Sequence, residues 1–590
     1  MQYYNKYLQD SIISIDKDIL TGIYKNLENN SYIEIEKNKY INIENNRAVN
    51  NDIVYYINND IVGIHTRNIC DIVGILYLDS KIKYGNINDK SLYLFKPTNK
   101  SYPNFYIPYK IKNNKNKIFC TINFKEWKIT DKLPIGTLIN IVGNIGIKEA
   151  EIEHMRIYYG INNNTWKIDN VKKNNDLKII NDLQEKIEDY EVFSIDPIGS
   201  KDIDDAFHFK NIEKDEYEIG IHIASPTIFF ENNYLEILER VSTVYLPNKK
   251  YNLLPNIYAD EIISLLENKK RFALSLILKI NNNVVISYEI KETVVKNIKN
   301  YDYDTFDKIL KKNEKLYDFI NLTKKFFNVD IIDSHKLVEF WMIYTNKFIA
   351  NYLINNGFSN IILRSHQLNI KNKEFNIDEC LNNYLTLKQE SSALYVIYDK
   401  NDLNQYHSKL NNDYYTHFTS PIRRSIDFYI HMLLLNKIKC NDNNIVRIID
   451  KINIFTKKCR KFDRIIRRLN FLYDIKESNK NIETYGYIIN ITKNKITVYI
   501  PEYNLEEKII IVPYKLENAY NINIEKNWNT NSTIFSQINN KENINNNITK
   551  IICINENITK VYTLYEKIKI KLWVFTSFEN IFDKLKIEIL

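Results

Sequence analysis

The spacing of hydrophobic residues changes along the chain and divides it into three parts. From about residue 30 to 165, short apolar runs rich in β-branched residues alternate with polar turns. Such runs predict β-strands, here at 32–35, 52–56, 74–78, 117–122 and 138–143. Short strands separated by turns favour small β-barrels.

The middle part, from about residue 190 to 435, mixes strands with helices and predicts one large α+β domain. Its clearest helix is expected over 333–356, where Gly357 supplies a stop. Five apolar residues recur there at helical spacing: Leu337, Phe340, Trp341, Tyr344 and Phe348. A charge-rich helical stretch at 174–189 predicts a connector before this domain.

The last part begins after a basic helical stretch at 457–468. Strand patterns return at 484–490 and 495–500, and we expect them to belong to a third barrel.

Length, charge and cysteine usage narrow the class of protein. A chain of 590 residues should contain several domains, and its formal net charge of +8 favours a polyanionic partner without requiring one. The six cysteines are scattered without a C-x-x-C pair, which argues against a disulfide framework or a zinc site. The sequence has neither a signal-peptide pattern nor a run of about 18 apolar residues. We therefore expect an intracellular protein, in the nucleus or cytoplasm, that is not secreted and has no membrane partner.

The segment 193–209 carries the first chemical signal. Asp196, Asp202, Asp204 and Asp205 lie within ten residues of one another on an apolar frame. Carboxylates crowded this closely repel one another, and when partly buried they take up protons or need a cation. Oxygen ligands of this kind suit Mg²⁺ or Mn²⁺. The segment therefore predicts a divalent metal site.

Two other interpretations of this segment are open. A bare D-x-D-D pattern would more often be a solvated acidic turn, but here apolar neighbours predict part of a sheet: Phe193, Ile195, Ile203, Phe207 and Phe209. A calcium loop would use Asp202, Asp204 and Glu213 as ligands. It is disfavoured because Phe207 stands where that loop requires Gly.

The second signal is the segment 414–431. Ser420 is a plausible N-cap and Pro421 suits a first helical position, so we expect a helix to begin here. Arg423 and Arg424 would then lie in the first turn, which is unfavourable unless an anion such as phosphate binds. Alternatively, the arginines point to solvent, and Asp427 and His431 form only a helix pair.

Together these segments resemble the ribonuclease II and ribonuclease R exoribonuclease (RNB) family, and most closely its eukaryotic exosome branch of the Dis-three type. The pattern S-I-D-P-x-G-x-x-D-I-D-D-A-x-H at 194–208 is similar to the family's acidic motif, and H-F-T-S-P-I-R-R at 417–424 is similar to its second signature. Further matches follow in order along the chain, at 46–54, 94–97, 107–108, 222–224, 244–247, 303–304, 337–339, 363–366 and 406–407.

The resemblance implies a multidomain protein with an α+β RNB catalytic domain flanked by all-β OB-fold barrels. The domains expected on this basis are a first cold-shock-like barrel with an N-terminal extension, a second cold-shock-like barrel, a connector, the catalytic domain and a C-terminal RNA-binding OB fold, at residues 1–66, 67–170, 171–189, 190–475 and 476–590. The N-terminal endonuclease domain of many exosome subunits is expected to be absent.

The resemblance also implies a set of site residues. Asp196, Asp202, Asp204 and Asp205 resemble the metal ligands, with two Mg²⁺ expected and Mn²⁺ as a substitute, and Asp204 resembles the carboxylate essential for cleavage. Arg423 resembles the catalytic arginine at the scissile phosphate. Further residues are implied to contact RNA: Tyr245, Tyr303, Arg424, Glu339 and His366. In a chain with 44 tyrosines, Tyr245 and Tyr303 would otherwise be interpreted as core aromatics.

The implied activity is processive 3′-to-5′ hydrolysis of single-stranded RNA to nucleoside 5′-monophosphates, with exosome core subunits as further partners. The alternative is a catalytically weak or inactive RNA-binding protein of the same fold. The chain departs from the family at Phe340, Ser425 and Met432, where an acidic residue, a tyrosine and an arginine are usual. The effect of these departures on rate is left open.

Overall fold

The computed structural model places the strands and helices as follows. It describes residues 20–590 except for 28–29, 37–38, 43–45, 58–59, 69, 112–115, 162–165, 167–178, 180–189, 214, 247–248, 311, 331, 368–376, 390–391, 403, 412, 439–441, 479–481, 493–494, 511, 514–533, 536–549 and 556–557. The predicted connector, 171–189, lies almost entirely outside the described residues.

The chain forms two compact units. One contains Met1–Ile161 together with Phe462–Leu590, and the other contains Asn162–Lys461. The second unit carries all of the residues predicted to form the site. The exact domain boundaries listed above remain predictions.

The first unit begins with two sheets. The first has the strand order β3-β2-β1-β4-β5, formed by Leu20–Leu27 (β1), Asn30–Glu36 (β2), Lys39–Asn42 (β3), Ile53–Ile57 (β4) and Asp60–Thr66 (β5). The second has the order β6-β10-β11-β9-β8-β7, formed by Ile72–Leu76 (β6), Asn86–Ile87 (β7), Lys90–Pro97 (β8), Phe105–Tyr109 (β9), Ile118–Glu126 (β10) and Ile135–Asn144 (β11). Both sheets are antiparallel except for the parallel pairing of β9 with β11. A pairing of β6 with β8 curls this second sheet toward closure, and helix α1 (Lys148–Tyr159) follows it.

Each of the five strands predicted in this region overlaps an observed strand. The strands of the two sheets contribute to separate apolar cores, one around Tyr24, Val54 and Tyr56 and the other around Phe95 and Phe105. Short runs of β-branched residues between polar turns were sufficient to predict strands here.

The second unit is built around a closed barrel. Its strands are Val192–Asp196 (β12), Asp205–Glu213 (β13), Glu216–Ala224 (β14), Lys270–Asn281 (β17) and Val284–Asp302 (β18). Two antiparallel strand pairs lie outside the barrel: a hairpin formed by Val244–Leu246 (β15) with Lys249–Tyr251 (β16), and a two-stranded sheet formed by Ile362–Ser365 (β19) with Leu394–Ile397 (β20).

The helices of this unit are Thr227–Phe230 (α2), Tyr234–Arg240 (α3), Tyr303–Ile309 (α4), Glu314–Phe327 (α5), Ser334–Asn355 (α6), Glu379–Gln389 (α7) and Ser425–Leu434 (α8). Helix α6 matches the predicted 333–356 closely. The side chain of Asp333 accepts a hydrogen bond from the Lys336 amide at its start, and Gly357 ends it with φ +70°.

One apolar core joins the barrel to these helices. Phe193, Phe207 and Phe209, the apolar neighbours of the acidic motif, lie against Phe319 of α5, and Phe319 lies in turn against Trp341 of α6. All five predicted apolar neighbours are buried. The interpretation of the acidic segment as part of a sheet is therefore confirmed for its flanks.

Helix α9 (Asp442–Ser478) leads from the second unit into the first. It is followed by a sheet of order β23-β22-β21-β28-β29, formed by Ile482–Thr492 (β21), Lys495–Ile500 (β22), Leu505–Ile510 (β23), Lys567–Val574 (β28) and Leu585–Ile589 (β29). Short strand pairs lie between them, at Val512–Pro513 (β24), Ile534–Phe535 (β25), Lys550–Asn555 (β26) and Ile558–Thr563 (β27). Among the helices the structure describes, none combines the length and apolar character needed to cross a membrane.

Candidate active site

The acidic residues lie at one end of the barrel. Asp196 is the last residue of β12 and Asp205 is the first residue of β13, its antiparallel neighbour. The loop between them is held by Ser264, whose hydroxyl accepts a hydrogen bond from the Ile203 amide at 2.9 Å and donates one to the Lys201 carbonyl at 2.7 Å. The fold therefore brings all four aspartates to the same rim.

Asp204 is tied to the second signature segment. Its Oδ1 accepts a hydrogen bond from the Ile422 amide at 2.9 Å, and its Oδ2 accepts one from Arg423 Nε at 3.0 Å. Burial raises the pKa of this carboxyl to about 7, whereas Arg423 and the Ile422 amide lower it. Asp204 thus fixes the orientation of the arginine predicted to act in catalysis.

Asp202 is neutralised by a residue that sequence reasoning missed. The Lys250 ammonium donates to Asp202 Oδ1 at 3.0 Å and to Asp260 Oδ1 at 2.6 Å, and Tyr245 donates its hydroxyl to Asp202 Oδ2 at 2.6 Å. Both Tyr245 and Lys250 lie on the β15–β16 hairpin. Nothing local in the sequence marks Lys250, because its partner Asp202 is 48 residues away.

Asp196 and Asp205 differ from the other two aspartates. Asp196 Oδ2 is buried without a hydrogen-bond partner, although Asp196 and Asp205 as whole residues are only partly buried. Neither carboxylate forms an ion pair with a Lys or Arg among the described residues. Burial raises the pKa of Asp196 to about 7, and Asp204 and Asp202 add to that shift. Burial also raises the pKa of Asp205 to about 7, and Asp196 adds to it.

The donor set fits a hard divalent cation in part. Two partly buried carboxylates that pair with no described cationic side chain are chemistry that Mg²⁺ or Mn²⁺ would satisfy, since Mg²⁺ is commonly held by one or two carboxylates, waters and substrate phosphates. Among the described residues, however, no three His, Cys, Asp or Glu side chains are grouped closely enough to form a complete cage. The metal-ligand role of the four aspartates stays a prediction.

The second signature segment does not begin a helix at Ser420, and this expectation is wrong. Residues 421–424 form a turn in which the amides of Arg423 and Arg424 both donate to the Ser420 carbonyl, and α8 begins at Ser425. Arg424 has an extended backbone, so neither arginine lies in a helical first turn. The reason is Asp427 of α8. Its Oδ1 accepts a hydrogen bond from the Ser420 amide at 2.8 Å and another from Arg424 Nη2 at 2.7 Å, and these two contacts hold the turn against the start of α8.

Asp427 and His431 do not form the helix pair considered above. His431 Nε2 instead lies 2.9 Å from the Phe418 carbonyl oxygen, and both residues are buried.

The structure also shows the surroundings of the three residues that depart from the family. Phe340 stacks on Phe327, Met432 is buried in an apolar cluster, and the buried Ser425 hydroxyl has no hydrogen-bond partner.

Two tyrosines implied to contact RNA border the acidic rim. Tyr245 is half exposed while its hydroxyl is bound to Asp202. Tyr303 is the first residue of α4, and its ring stacks on His335 with centroids 3.7 Å apart. Burial raises the pKa of Tyr303 to about 12, and Asp196 and Asp205 contribute to that shift. His335 is a further residue that sequence reasoning missed.

Glu339 and His366 have no described contact with the aspartates. Glu339 is exposed on α6 and pairs with Lys336 at 2.8 Å. His366 is buried, lies 2.8 Å from the Ser408 hydroxyl and stacks on His407. Their predicted RNA contacts stay predictions.

Two parts of the chain match known protein domains. Residues 184–326 and 320–439 match the RNB domain, and residues 92–160 match the Dis3-like cold-shock domain 2. A probable exosome complex exonuclease RRP44 of Caenorhabditis elegans is 24% identical over 561 residues, which cover 79% of this chain and 57% of that protein. The chain spans about half the length of the curated relatives it matches.

Two solved structures resemble the fold over nearly the whole chain. A Mycoplasma genitalium RNase R in complex with ribose-methylated single-stranded RNA is 17% identical with a TM-score of 0.68, over 97% of this chain and 100% of that one. Yeast Ssd1, described as a pseudonuclease, is 16% identical with a TM-score of 0.63, over 100% of this chain and 98% of that one. At these identities the likeness shows the fold alone. It confirms an RNB-type α+β domain accompanied by OB-type barrels.

Proposed function

Because this chain carries an RNB domain and a Dis3-like cold-shock domain 2, we propose that it is a 3′-to-5′ hydrolytic exoribonuclease acting on single-stranded RNA. The observation that carries the proposal is the rim of the barrel, where the partly buried carboxylates of Asp196 and Asp205 lie beside an arginine fixed by a third carboxylate. Removing a carboxylate from water without a cationic partner destabilises the folded state, and a protein that only binds RNA would gain nothing from it.

The residues present suggest a division of roles. Asp196 and Asp205 would hold a divalent metal, Mg²⁺ or Mn²⁺, which when bound lowers the pKa of a water and stabilises charge on a phosphate. Arg423 binds Asp204 through Nε and the Ser420 hydroxyl through Nη2. Its guanidinium is therefore pre-oriented, and it can neutralise negative charge that develops on the scissile phosphate.

Asp202 and Lys250 hold in place the β15–β16 hairpin, which carries Tyr245. Since Asp202 binds both the Tyr245 hydroxyl and the Lys250 ammonium, it holds this exposed ring at the rim. On the side of Tyr303, stacking on His335 restricts the orientation of the ring. Two rings held in this way would stack on bases, a contact that tolerates any sequence.

The finer features are proposed on the same basis. They are processive release of nucleoside 5′-monophosphates, two metal ions at the site, RNA contacts by Glu339 and His366, exosome core subunits as partners, and a location in the nucleus or cytoplasm. Support comes from the relatives, which are named as exosome complex exonucleases and ribonuclease R.

The alternative function is an RNA-binding protein with weak or no catalysis. The fold-level likeness to a pseudonuclease favours considering it. The presence of all four aspartates and of Arg423 in the arrangement above favours the enzyme.

One experiment separates the two functions. Single-stranded RNA labelled at the 3′ end or at the 5′ end is incubated with the full chain and Mg²⁺, and a parallel sample contains EDTA. We expect immediate release of labelled mononucleotide from the 3′-labelled RNA only, and none with EDTA. Binding of both RNAs without any release would leave the RNA-binding alternative.

A further inference from the structure

The ammonium group of Lys250 is shared by two carboxylates at the acidic rim. It donates to Asp202 Oδ1 at 3.0 Å and to Asp260 Oδ1 at 2.6 Å. The three side chains are mostly buried, with 24% of Lys250, 11% of Asp202 and 23% of Asp260 exposed. Two carboxylates thus face one ammonium, and this part of the rim keeps one negative charge in excess.

The second carboxylate is not needed to hold a cation in this unit. Arg423 pairs with Asp204 at 3.0 Å, and Lys347 pairs with Asp413 at 2.6 Å, each with one carboxylate for one cation. A lysine that only fixed the β15–β16 hairpin would need one carboxylate as well. What Asp260 adds is a partner that remains when the ammonium moves away from Asp202.

Asp202 is also the aspartate left for a second metal ion. Of the other three, one is paired with Arg423 and two are assigned to the first ion. Asp202 Oδ1 accepts from Lys250, and its Oδ2 accepts from the Tyr245 hydroxyl at 2.6 Å. An ion bound through Oδ1 would share that oxygen with the ammonium, and like charges so close together repel each other. Lys250 therefore competes with a second divalent ion for the same carboxylate.

We propose that Lys250 is an internal counter-ion that sets the order in which divalent ions bind at the rim. In the metal-free chain it neutralises Asp202, so the ion at Asp196 and Asp205 binds first. A second ion binds at Asp202 only when the ammonium leaves that carboxylate and keeps its bond to Asp260. This inference rests on the metal site of the proposed function and adds the order of binding.

The test counts the Mn²⁺ ions bound to the full chain at pH 8 without RNA. The signal of free Mn²⁺ in electron paramagnetic resonance gives the count, so no cleavage is required. The variants are Lys250→Met, Lys250→Arg and, as a matched control, Lys249→Met. Lys249 is exposed on the same hairpin, and its ammonium lies 4.7 Å from the centroid of the Tyr251 ring.

We expect the wild type to bind one Mn²⁺ tightly and a second about 10-fold or more weakly. Lys250→Met should bind the second ion about 10- to 100-fold more tightly than the wild type does, because the repelling charge is gone and two carboxylates are left facing each other. Lys250→Arg keeps a cation and should keep the second ion weakly bound. Lys249→Met should bind both ions as the wild type does.

Thermal melting shows whether each variant is folded at pH 8. Lys250→Gln removes the charge but keeps a hydrogen-bond donor, and it answers the same question if Lys250→Met does not fold. A folded Lys250→Met with unchanged affinity for the second ion would show that Lys250 only fixes the hairpin, and would overturn the proposal. An equal gain in Lys249→Met would overturn it too, since any lost positive charge would then have the same effect.

A double variant locates the ion that is gained. Lys250→Met combined with Asp202→Asn should lose this ion and keep the first one, and a gain that persists there would overturn the proposal. One tight ion that is lost in Asp196→Asn, together with no effect of Lys250→Met, would leave the proposed function standing while this inference fails. The absence of Mn²⁺ binding from the wild type and every variant would overturn the metal site itself, and the inference with it.

Discussion

Two polar clusters on the same barrel differ in how completely they are satisfied. In the first, Asp205 begins β13 beside Asp196, and neither carboxylate forms an ion pair with a described residue. In the second, His208 on the same strand lies 2.8 Å from a nitrogen of His222, which is 2.7 Å from the Ser275 hydroxyl. The chain continues from Ser275 to the Thr293 hydroxyl at 2.6 Å, and His208 also reaches Glu218 at 3.3 Å.

This difference distinguishes a polar cluster that stabilises the fold from one that is suited to bind a ligand. Burial lowers the pKa of both His208 and His222, so the imidazoles stay neutral and exchange hydrogen bonds within a closed chain. Burial raises the pKa of Asp196 and Asp205, and the opposing effect of Arg423 does not cancel that shift. A satisfied buried network stabilises the barrel, whereas an unsatisfied one is prepared for a ligand.

The largest effect should come from Asp204→Asn. Removing the charge that holds Arg423 should lower the rate of RNA cleavage by about 10²- to 10³-fold, the usual loss for one electrostatic element of an active site. RNA affinity should be retained, as measured by binding in EDTA. Asp413→Asn is the control, because Asp413 pairs with Lys347 at the surface, and it should cleave normally. Cleavage by Asp204→Asn at the wild-type rate would contradict the assigned role.

Magnesium should stabilise the acidic cluster and leave the histidine cluster unaffected. At 100 times its dissociation constant, a bound ion adds about 2.7 kcal/mol to the free energy of unfolding. The melting temperature of the wild type should therefore rise with Mg²⁺ at pH 8, and that of Asp196→Asn should rise much less. Equal gains in both proteins would place the ion elsewhere.

Breaking the hydrogen-bond chain of the histidines should lower the free energy of unfolding and leave the rate of RNA cleavage unchanged. His222→Phe leaves the facing nitrogen of His208 unpaired and removes one of the two partners of the Ser275 hydroxyl, at a cost of about 1–3 kcal/mol in unfolding free energy. The loss is read from denaturant unfolding, with the exposed His65→Phe as control. Cleavage at low temperature should persist. A loss of cleavage without a loss of stability would show that the two clusters are not separate.

The smallest net effect should come from pH, because the clusters respond in opposite directions. A carboxyl whose pKa is raised in the folded state stabilises the fold at low pH, and this contribution is lost as pH rises from about 4 through 7. Histidines whose pKa is lowered in the folded state destabilise the fold as pH falls below about 6.5. The metal-free wild type should therefore melt at a similar temperature across this range.

The variant Asp205→Asn removes one carboxyl with a raised pKa, so comparison with the wild type shows what that carboxyl contributes to the pH dependence of stability. Its melting temperature without metal should exceed that of the wild type at pH 8, and the gain should fade toward pH 4. A difference that is constant with pH would mean that Asp205 does not titrate in this range.

Regular patterns were enough to predict much of the fold. The helix over 333–356 follows from apolar residues that recur at helical spacing, and the five N-terminal strands follow from short β-branched runs between polar turns. The helix expected at Ser420 was wrong because its start depends on Asp427, a buried residue seven positions later that binds the Ser420 amide. A capping preference is worth about 1 kcal/mol and yields to such a contact.

By itself the sequence determined the types of element, the apolar setting of the acidic motif and the resemblance to RNB exoribonucleases, since these depend on local periodicity and on residues adjacent in the chain. Only the tertiary structure decided which charges meet: that Lys250 neutralises Asp202, that Asp204 holds Arg423, and that one oxygen of Asp196 is buried without a partner. The physical reason is that the energy of a buried charge depends on its neighbours in space, and these come from strands and hairpins up to 219 residues apart.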